Sequence, residues 1–342
     1  MVHHGSAPHR GQFMPGEKGA RVGDWVEVRP LGEIVSTLDK SGALDGLPFM
    51  PEMVPFVGLR FRIVKSAHKT CDPTGATDLR RIPNTVHLSA RCNGSAHGGC
   101  EARCLLFWKR DWLMPVNGPG ASGGPPPTAN STDREALHTT TRKTGVANEV
   151  RYRCQATEIV SASTALPVSD LRQYLEDVSS RNVSPARFVA EMASAWIKAV
   201  LGRANKLLHR GREQATTAKP VAAPGIGANR LDLGVGEYVQ VRPAAEILAT
   251  LDGKQKNLGL SLEPEMLRHC GNVYRVLARI TRIIDERSGK MIKLANDCIA
   301  LEGVICTGLD NRRRIFCPRG PLFYWREAWL KRVDDPIKGK VS

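Results

Sequence analysis

Four cysteines in the N-terminal half of the chain have the residue type and arrangement to hold a metal ion. Cys92, Cys100 and Cys104 lie in the stretch RCNGSAHGGCEARC, and Cys71 precedes it. Zinc sites take four thiolate or imidazole ligands, and iron–sulfur clusters also take four cysteines. The glycines of this stretch let it turn tightly and point backbone amides at thiolates. The sequence therefore predicts a zinc site with these four ligands, or an iron–sulfur cluster as the alternative.

The spacing leaves other compositions of this site open. Only the longer C-x-x-x-C spacing occurs in the stretch, so the C-x-x-C pair of zinc knuckles is missing. An imidazole could replace one thiolate, and the reserve ligands are His97, His87 and His68. The neighbouring acids Glu101 and Asp72 could act as general bases at an open zinc, but acids beside a metal cage more often orient its ligands. A structural zinc is therefore favoured over a catalytic one, and independent thiols without metal are the third possibility.

Thiol chemistry is a weaker hypothesis for the same residues. A reactive cysteine needs a base or a positive field nearby, and His97, Arg103 and Lys69 could lower the pKa of Cys100 or Cys71. No signature of a cysteine nucleophile, P-loop, metalloprotease or nucleophile elbow is present. We therefore predict no catalytic residues and favour a binding or scaffold protein over an enzyme.

An internal repeat organises the chain that must position these residues. The segment GDWVEVRPLGEIVSTLD from Gly23 has a copy, GEYVQVRPAAEILATLD, from Gly236, at an offset of 213. The match continues without a gap to Asp72 and Asp285, and LLFWKRDWL realigns with LFYWREAWL after four residues are added in the second copy. Such self-similarity indicates two copies of one module.

Each copy reads as short strands with one small helix. The run WVEV alternates apolar and polar residues, as a half-buried strand does, and LRFRIVKSA and VYRVLARIT alternate again. The helix follows the first strand, with apolar positions Ile34 and Leu38 matched by Ile247 and Leu251. We expect a mainly β protein with an α insert, in which two tandem SH3-like, partly open barrels are joined by a helical linker segment.

The composition between the copies changes twice. NGPGASGGPPPTANST and KPVAAPGIGAN cannot build a core and are typical of linkers. Between them, Ser184 and Pro185 predict the start of a helix over 184–210 with a basic C-terminal end, which could contact a partner or an anionic membrane surface. The predicted boundaries are a flexible tail 1–22, a first barrel 23–116, a linker 117–168, a helical segment 169–215, a linker 216–235, a second barrel 236–335 and a tail 336–342.

The second copy lacks part of the predicted metal site. Its counterparts are Ile284 for Cys71, Thr281 for His68, Pro321 for Cys104, Cys317 for Cys100 and Cys306 for Cys92. Independent core cysteines would be exchanged for small apolar side chains, and proline is not such an exchange. The pattern indicates a working site in the first copy and a degenerate cysteine cluster in the second.

The chain carries a formal net charge of +15, most of it after residue 116. This excess favours an anionic partner, and we expect the middle helices and the second barrel to form a surface for a protein partner or an acidic polymer. The run RRRIFCPRG places Arg312, Arg313, Arg314 and Arg319 beside aromatic residues, so nucleic acid is an alternative partner. The odd count of nine cysteines argues against a disulfide framework, and no secretion signal or spanning segment is apparent, so a cytoplasmic location is expected.

Several motifs resemble those of an uncharacterised family of bacterial two-module proteins. They are GDWVEVR, LDGLPFMPEM, AHKTCD and CNGSAHGGC in the first half, and NDCIALEGVICTG, RRRIFCPRG and YWREAWLKRV in the second. The resemblance covers nearly the whole chain apart from the N-terminal tail and the linkers. It implies no activity, so function has to be argued from the residues.

Overall fold

The computed structural model describes residues 20–119, 131–144, 149–208, 231–311 and 313–335, without the side chains of 144, 195 and 198–208. The predicted C-terminal tail, nearly all of the N-terminal tail and most of the linker 216–235 lie outside the described residues. Two compact units are present. The first unit takes the described residues within Met1–His97, Leu105–Asn182 and Glu286–Gly289, and the second unit those within Gly98–Cys104, Val183–Asp285 and Lys290–Ser342.

The first unit is built from short strands and three helices. Its strands are β1 (Trp25–Val28), β2 (Ala43–Leu44), β3 (Leu47–Pro48), β4 (Arg60–Arg62), β5 (Lys65–Ser66), β6 (Lys69–Cys71), β7 (Leu79–Arg81), β8 (Thr85–Arg91), β9 (Leu105–Lys109), β10 (Leu113–Val116), β11 (Arg142–Thr144), β12 (Val150–Tyr152) and β13 (Thr164–Leu166). The helices are α1 (Leu31–Ser36), α2 (Ser131–Thr139) and α3 (Arg172–Ser179), with 3-10 turns at Pro51–Phe56 and Arg110–Trp112.

The strands of the first unit form small antiparallel sheets. Three-stranded sheets have the orders β10-β1-β4, β5-β8-β9 and β13-β7-β6, and β2-β3 and β11-β12 are two-stranded. Alternation in β1 buries Val26 and Val28 completely and leaves Trp25 and Glu27 half-buried. Trp108 and Trp112 are also fully buried, and both meet the ring of Phe49 edge-on. These aromatic rings therefore form the centre of the first core.

Part of the predicted linker 117–168 is folded into the first unit. Leu137 of α2, together with Ile159 and Ala162, belongs to the same apolar core as Trp108. β13 pairs with β7, with Leu166 opposite Leu79. The segment that follows the glycine- and proline-rich run is thus a structural part of this unit.

The second unit begins with a long helix and continues as one extended sheet. Its helices are α4 (Pro185–Leu208) and α5 (Ala244–Ala249), and its strands are β14 (Tyr238–Val241), β15 (Lys256–Asn257), β16 (Leu260–Ser261), β17 (Val273–Ile284), β18 (Met291–Ile305), β19 (Leu322–Trp325) and β20 (Leu330–Arg332). Two 3-10 turns lie at Pro264–His269 and Glu327–Trp329. The sheet order is β19-β18-β17-β14-β20, with β15-β16 as a separate pair. No described helix is long and apolar enough to cross a membrane.

Comparable elements occur in the same order in the two units. In each unit the first strand is followed by a short helix, whose N-cap residue is Pro30 in the first unit and Pro243 in the second. A hairpin of two two-residue strands and a 3-10 turn come next. The last strand of each set pairs with the first, β10 with β1 and β20 with β14. Nε1 of Trp112 donates to Oγ1 of Thr37 at 3.2 Å, and Nε1 of Trp329 donates to Oγ1 of Thr250 at 2.8 Å. The fold is mainly β, as predicted, and the described residues form small antiparallel sheets with no closed barrel.

Candidate ligand-binding site

The four predicted metal ligands are divided between the two units. Cys71 ends β6 and Cys92 follows β8 in the first unit, whereas Cys100 and Cys104 lie in the segment Gly98–Cys104, which belongs to the second unit. Within the described parts of the chain, no group of three or more His, Cys, Asp or Glu side chains is arranged to hold a metal ion. Zinc and an iron–sulfur cluster stay predictions from the sequence.

Two of the three reserve histidines are engaged in the core of the first unit. Nδ1 of His97 lies 2.7 Å from Oε1 of Glu52, and its Nε2 lies 3.0 Å from the carbonyl oxygen of Arg153. Burial opposes ionisation of Glu52, but the hydrogen bond and charge of His97 outweigh it and lower the pKa of this carboxyl. Nδ1 of His87 lies 2.9 Å from the carbonyl oxygen of Leu106. His97 therefore ties the glycine-rich stretch to the 3-10 turn that carries Glu52.

The acids beside the predicted ligands also have structural partners. Oδ1 and Oδ2 of Asp72 accept hydrogen bonds from the backbone and hydroxyl groups of Thr74 and Thr77. The carboxylate of Glu101 accepts from the backbone amides of Thr281 and Arg282. Neither arrangement resembles a general base held beside a reacting group.

The predicted anion-binding arginines differ in their exposure. Arg313 is exposed and Arg314 is half-buried, whereas Arg319 is buried with 8% of its surface accessible. Arg312 lies outside the described residues. The predicted contact helix 184–210 corresponds to α4, on which Val189, Trp196 and Ile197 are exposed. Residues 209 and 210 lie beyond the part that is described.

The third reserve histidine, His68, occupies a different environment. It lies between β5 and β6 and is only 9% exposed. Its Nε2 lies 3.3 Å from Oδ1 of Asp177 in α3, and the two atoms do not form a hydrogen bond. Neither ring nitrogen has a hydrogen-bond partner among the described residues. A buried imidazole with two unsatisfied polar atoms is costly unless something else binds them.

The ion pair of Lys69 and Asp177 lies next to His68. Nζ of Lys69 lies 2.6 Å from Oδ2 of Asp177, and neither side chain is exposed. The ring of Tyr174 lies 5.4 Å from the same ammonium, and burial, followed by the charge of Asp177, raises the pKa of Tyr174. The two charges compensate each other in a medium where a lone charge is strongly disfavoured.

The segment that supplies Asp177 is held along its length. Oδ1 of Asn182 accepts from the amide of Ser66 at 2.7 Å, and its Nδ2 donates to the carbonyl of Ser66 at 2.9 Å. Asn182 thus pairs with β5 as a neighbouring strand would. Nη1 of Arg81 donates to both carboxylate oxygens of Glu176, at 2.7 and 2.8 Å. These contacts fix α3 against the strands beside His68.

His68 also lines a cavity of about 300 Å³. The lining includes Arg21, Ser66, His68, Arg110, Glu176 and Ser180, all of the first unit. A guanidinium nitrogen of Arg110 donates to the carbonyl of Ala20. Burial lowers the pKa of Arg110, and the charge of Asp24 opposes that shift. The cavity therefore combines two guanidinium groups, hydroxyls and an unsatisfied imidazole.

The sequence named His68 only as a substitute metal ligand. Its true neighbours come from α3 and from the chain near Ala20, far from it in sequence. The run AHK carries no spacing that would indicate a buried cation beside a cavity. Comparisons with protein-family models, with curated proteins and with solved structures gave no match.

Proposed function

We propose that the chain is a binding protein whose first unit binds a small oxyanion, a carboxylate or phosphate group, in the cavity beside His68. The observation that supports this most directly is the imidazole of His68. It is buried at the cavity wall, and neither of its ring nitrogens has a hydrogen-bond partner in the described chain. An oxyanion would accept a hydrogen bond from one of these nitrogens and so satisfy it.

The charges around the cavity favour a negative ligand. The carboxylates of Glu176 and Asp177 have cationic partners in Arg81 and Lys69, at 2.7 and 2.6 Å. Arg110 donates to a neutral carbonyl and feels the charge of one acid, Asp24, and Arg21 adds a second guanidinium to the lining. Guanidinium groups match the geometry of carboxylate and phosphate, with two parallel N–H donors.

The size of the cavity limits the ligand. Ligand pockets are typically about 300–1,000 Å³, and this one lies at the lower end with about 300 Å³. The hydroxyls of Ser66 and Ser180 offer further hydrogen bonds to a small polar group. A free anion or a single acidic group of a larger molecule would fit this space, whereas a drug-sized apolar ligand would not.

The proposal includes an SH3-like fold for each sequence copy and a cytoplasmic location. In support of the fold, the second unit has a five-stranded sheet whose first strand in sequence is β14 and whose last is β20. β20 follows a 3-10 turn and pairs with β14. The first unit has the same return of β10 to β1 after the turn Arg110–Trp112. Folds of this kind commonly carry binding grooves on their loops.

Titration of the full-length protein with inorganic phosphate and with acetate tests the proposed function. We expect both anions to raise Tm relative to chloride at equal ionic strength. In Arg21→Gln and His68→Gln the shift falls at least fivefold, because each substitution removes a donor to the ligand. Arg134→Gln is the matched control, since Arg134 is an exposed residue of α2. Equal shifts in all four proteins, or none in the wild type, would refute the proposal.

A further inference from the structure

The two sequence copies hold a carboxylate at the same position. His68 and Lys69 of the first copy align without a gap with Thr281 and Arg282 of the second. Each pair lies at the end of the strand run that follows the first 3-10 turn of its copy. In each case an acidic side chain from another part of the chain reaches this position.

In the first unit the carboxylate belongs to Asp177. Its Oδ2 lies 2.6 Å from Nζ of Lys69 and its Oδ1 lies 3.3 Å from Nε2 of His68. The acid comes from α3, which is 108 residues away from Lys69 in sequence. Side chains of the module therefore provide the positive partner here.

In the second unit the carboxylate belongs to Glu101. Its Oε2 accepts from the amide of Thr281 at 2.5 Å, from the hydroxyl of Thr281 at 3.1 Å and from the amide of Arg282 at 3.2 Å. The amide of Glu101 also donates to the carbonyl of Arg282, at 3.1 Å. This acid lies in the glycine-rich segment, 180 residues from Thr281.

The two acids, Asp177 and Glu101, share a negative charge and an equivalent position in the module, but they differ in residue type and in the element that carries them. One is an aspartate in a helix, and the other is a glutamate in a loop that binds like a short strand. The receiving groups also differ, since the first copy uses side chains and the second uses mainly backbone amides. The common feature is the position in the module, which in both cases is charge-complementary to a carboxylate.

From this correspondence we propose that the end of this strand run is a carboxylate receptor that each module carries, filled by the chain's own Asp177 in the first and Glu101 in the second. The class of partner that the module fits is an acidic side chain on a segment that docks beside the strand. Neither Lys69 nor Asp177 lines the cavity, so the receptor does not depend on an oxyanion entering it.

The two receptors should differ in strength. Lys69 and Asp177 are fully buried, whereas the side chains of Arg282 and Glu101 are 52% and 31% exposed. Exposed ion pairs are screened by water and salt, and buried ones much less. Removal of Asp177 should therefore leave the site with the greater affinity for an added carboxylate.

Acetate rescue of full-length variants tests the receptor. Asp177→Ala and Glu101→Ala each remove a carboxylate and leave space for acetate, as a cavity variant leaves space for a small ligand. All proteins carry Arg21→Gln, so that binding in the cavity contributes little and contributes equally to each protein. At an acetate concentration ten times the Kd of the Asp177→Ala site, we expect the Tm of that variant to rise by about 3–5 °C relative to chloride. At the same concentration the Tm of Glu101→Ala should rise by less.

The matched control is Glu158→Ala in the same background. Glu158 is a largely buried acid of the first unit that pairs with Lys143 and Arg153, but it does not lie at the repeated position. We expect acetate to rescue Asp177→Ala more than Glu101→Ala, and Glu158→Ala no more than the parent. Rescue of all three variants to the same extent, or of none, overturns the receptor. If Asp177→Ala does not fold, the comparison of Glu101→Ala with Glu158→Ala decides alone.

Discussion

The carboxylate of Asp177 lies 2.6 Å from the ammonium of Lys69, and neither side chain is exposed to solvent. This pair joins α3, from the middle of the chain, to β6 of the first sequence copy. The same carboxylate lies 3.3 Å from Nε2 of His68, which also lines the cavity. The stability of the unit and the chemistry of the site thus depend on the same two charges.

Asp177→Asn should lower the free energy of unfolding by about 3–5 kcal/mol, because it leaves the ammonium of Lys69 buried without its counter-ion. The double variant Lys69→Met, Asp177→Leu should lose less than the single one, since it buries no charge at all. Urea-induced unfolding, followed by fluorescence, measures both. The comparison is Glu302→Ala, which breaks an ion pair with Arg275 in which the two side chains are 46% and 52% exposed; it should cost less than about 1 kcal/mol. A double variant as unstable as Asp177→Asn contradicts this account.

Local patterns in the sequence predict several elements of the fold. The alternation of WVEV and YVQV predicts β1 and β14, because side chains on a strand point alternately to the two faces. Pro185 predicts the start of α4, since proline is favoured at the first helical position. Both signals lie within a few residues, so no tertiary contact is needed to read them.

The candidate site could not be predicted in this way. His68 acquires its role from Asp177, and 108 residues separate that acid from the adjacent Lys69. The composition around Asn117 to Thr132 suggested a linker, but Ile159 further along packs into the first core. Contacts between distant segments depend on the fold as a whole, so no short stretch of sequence predicts them. Where apolar residues are too sparse to form a periodic pattern, the sequence also gives no local signal that they are buried.

Gly46→Ala tests whether the C-terminal part of the predicted linker 117–168 is packed into the first unit. Gly46 has φ of +76°, and a Cβ there would lie 2.7 Å from the carbonyl oxygen of Ser161. We expect the substitution to lower the free energy of unfolding by about 2–5 kcal/mol, from backbone strain and the clash together. Gly23→Ala is the control: its φ is +97° and the nearest atom to its Cβ is 3.9 Å away. It should cost only about 1–2 kcal/mol, and equal costs would argue against packing at Ser161.

Elemental analysis of the purified protein checks the zinc site predicted from the sequence. If Cys71, Cys92, Cys100 and Cys104 share an ion, the wild type should contain about one zinc per chain. Cys71→Ser and Cys100→Ser should each lose it, because a tetrahedral site tolerates the loss of a thiolate poorly. Cys154→Ser, outside the predicted ligand set, should keep the metal. Brown protein that contains iron instead supports the iron–sulfur alternative, and zinc content that none of these substitutions changes contradicts the predicted ligands.

Asp72 should stabilise the first unit in a manner that depends on pH. Burial opposes its ionisation, but hydrogen bonds from Thr74 and Thr77 outweigh burial and hold its pKa well below the ordinary value of 3.8. The folded protein therefore favours the charged form, so the stabilisation is complete above about pH 5 and is lost as the pH falls through 3.8 towards the folded pKa.

Asp72→Asn removes this contribution and should lower the free energy of unfolding by about 2–4 kcal/mol near neutral pH. The difference from the wild type should be constant between about pH 7 and pH 5 and shrink below that range. Urea unfolding at a series of pH values measures it. Glu135→Gln, an exposed position of α2, should have little effect throughout. A difference that grows as the pH falls would show that the hydrogen bonds of Asp72 do not favour its ionised form.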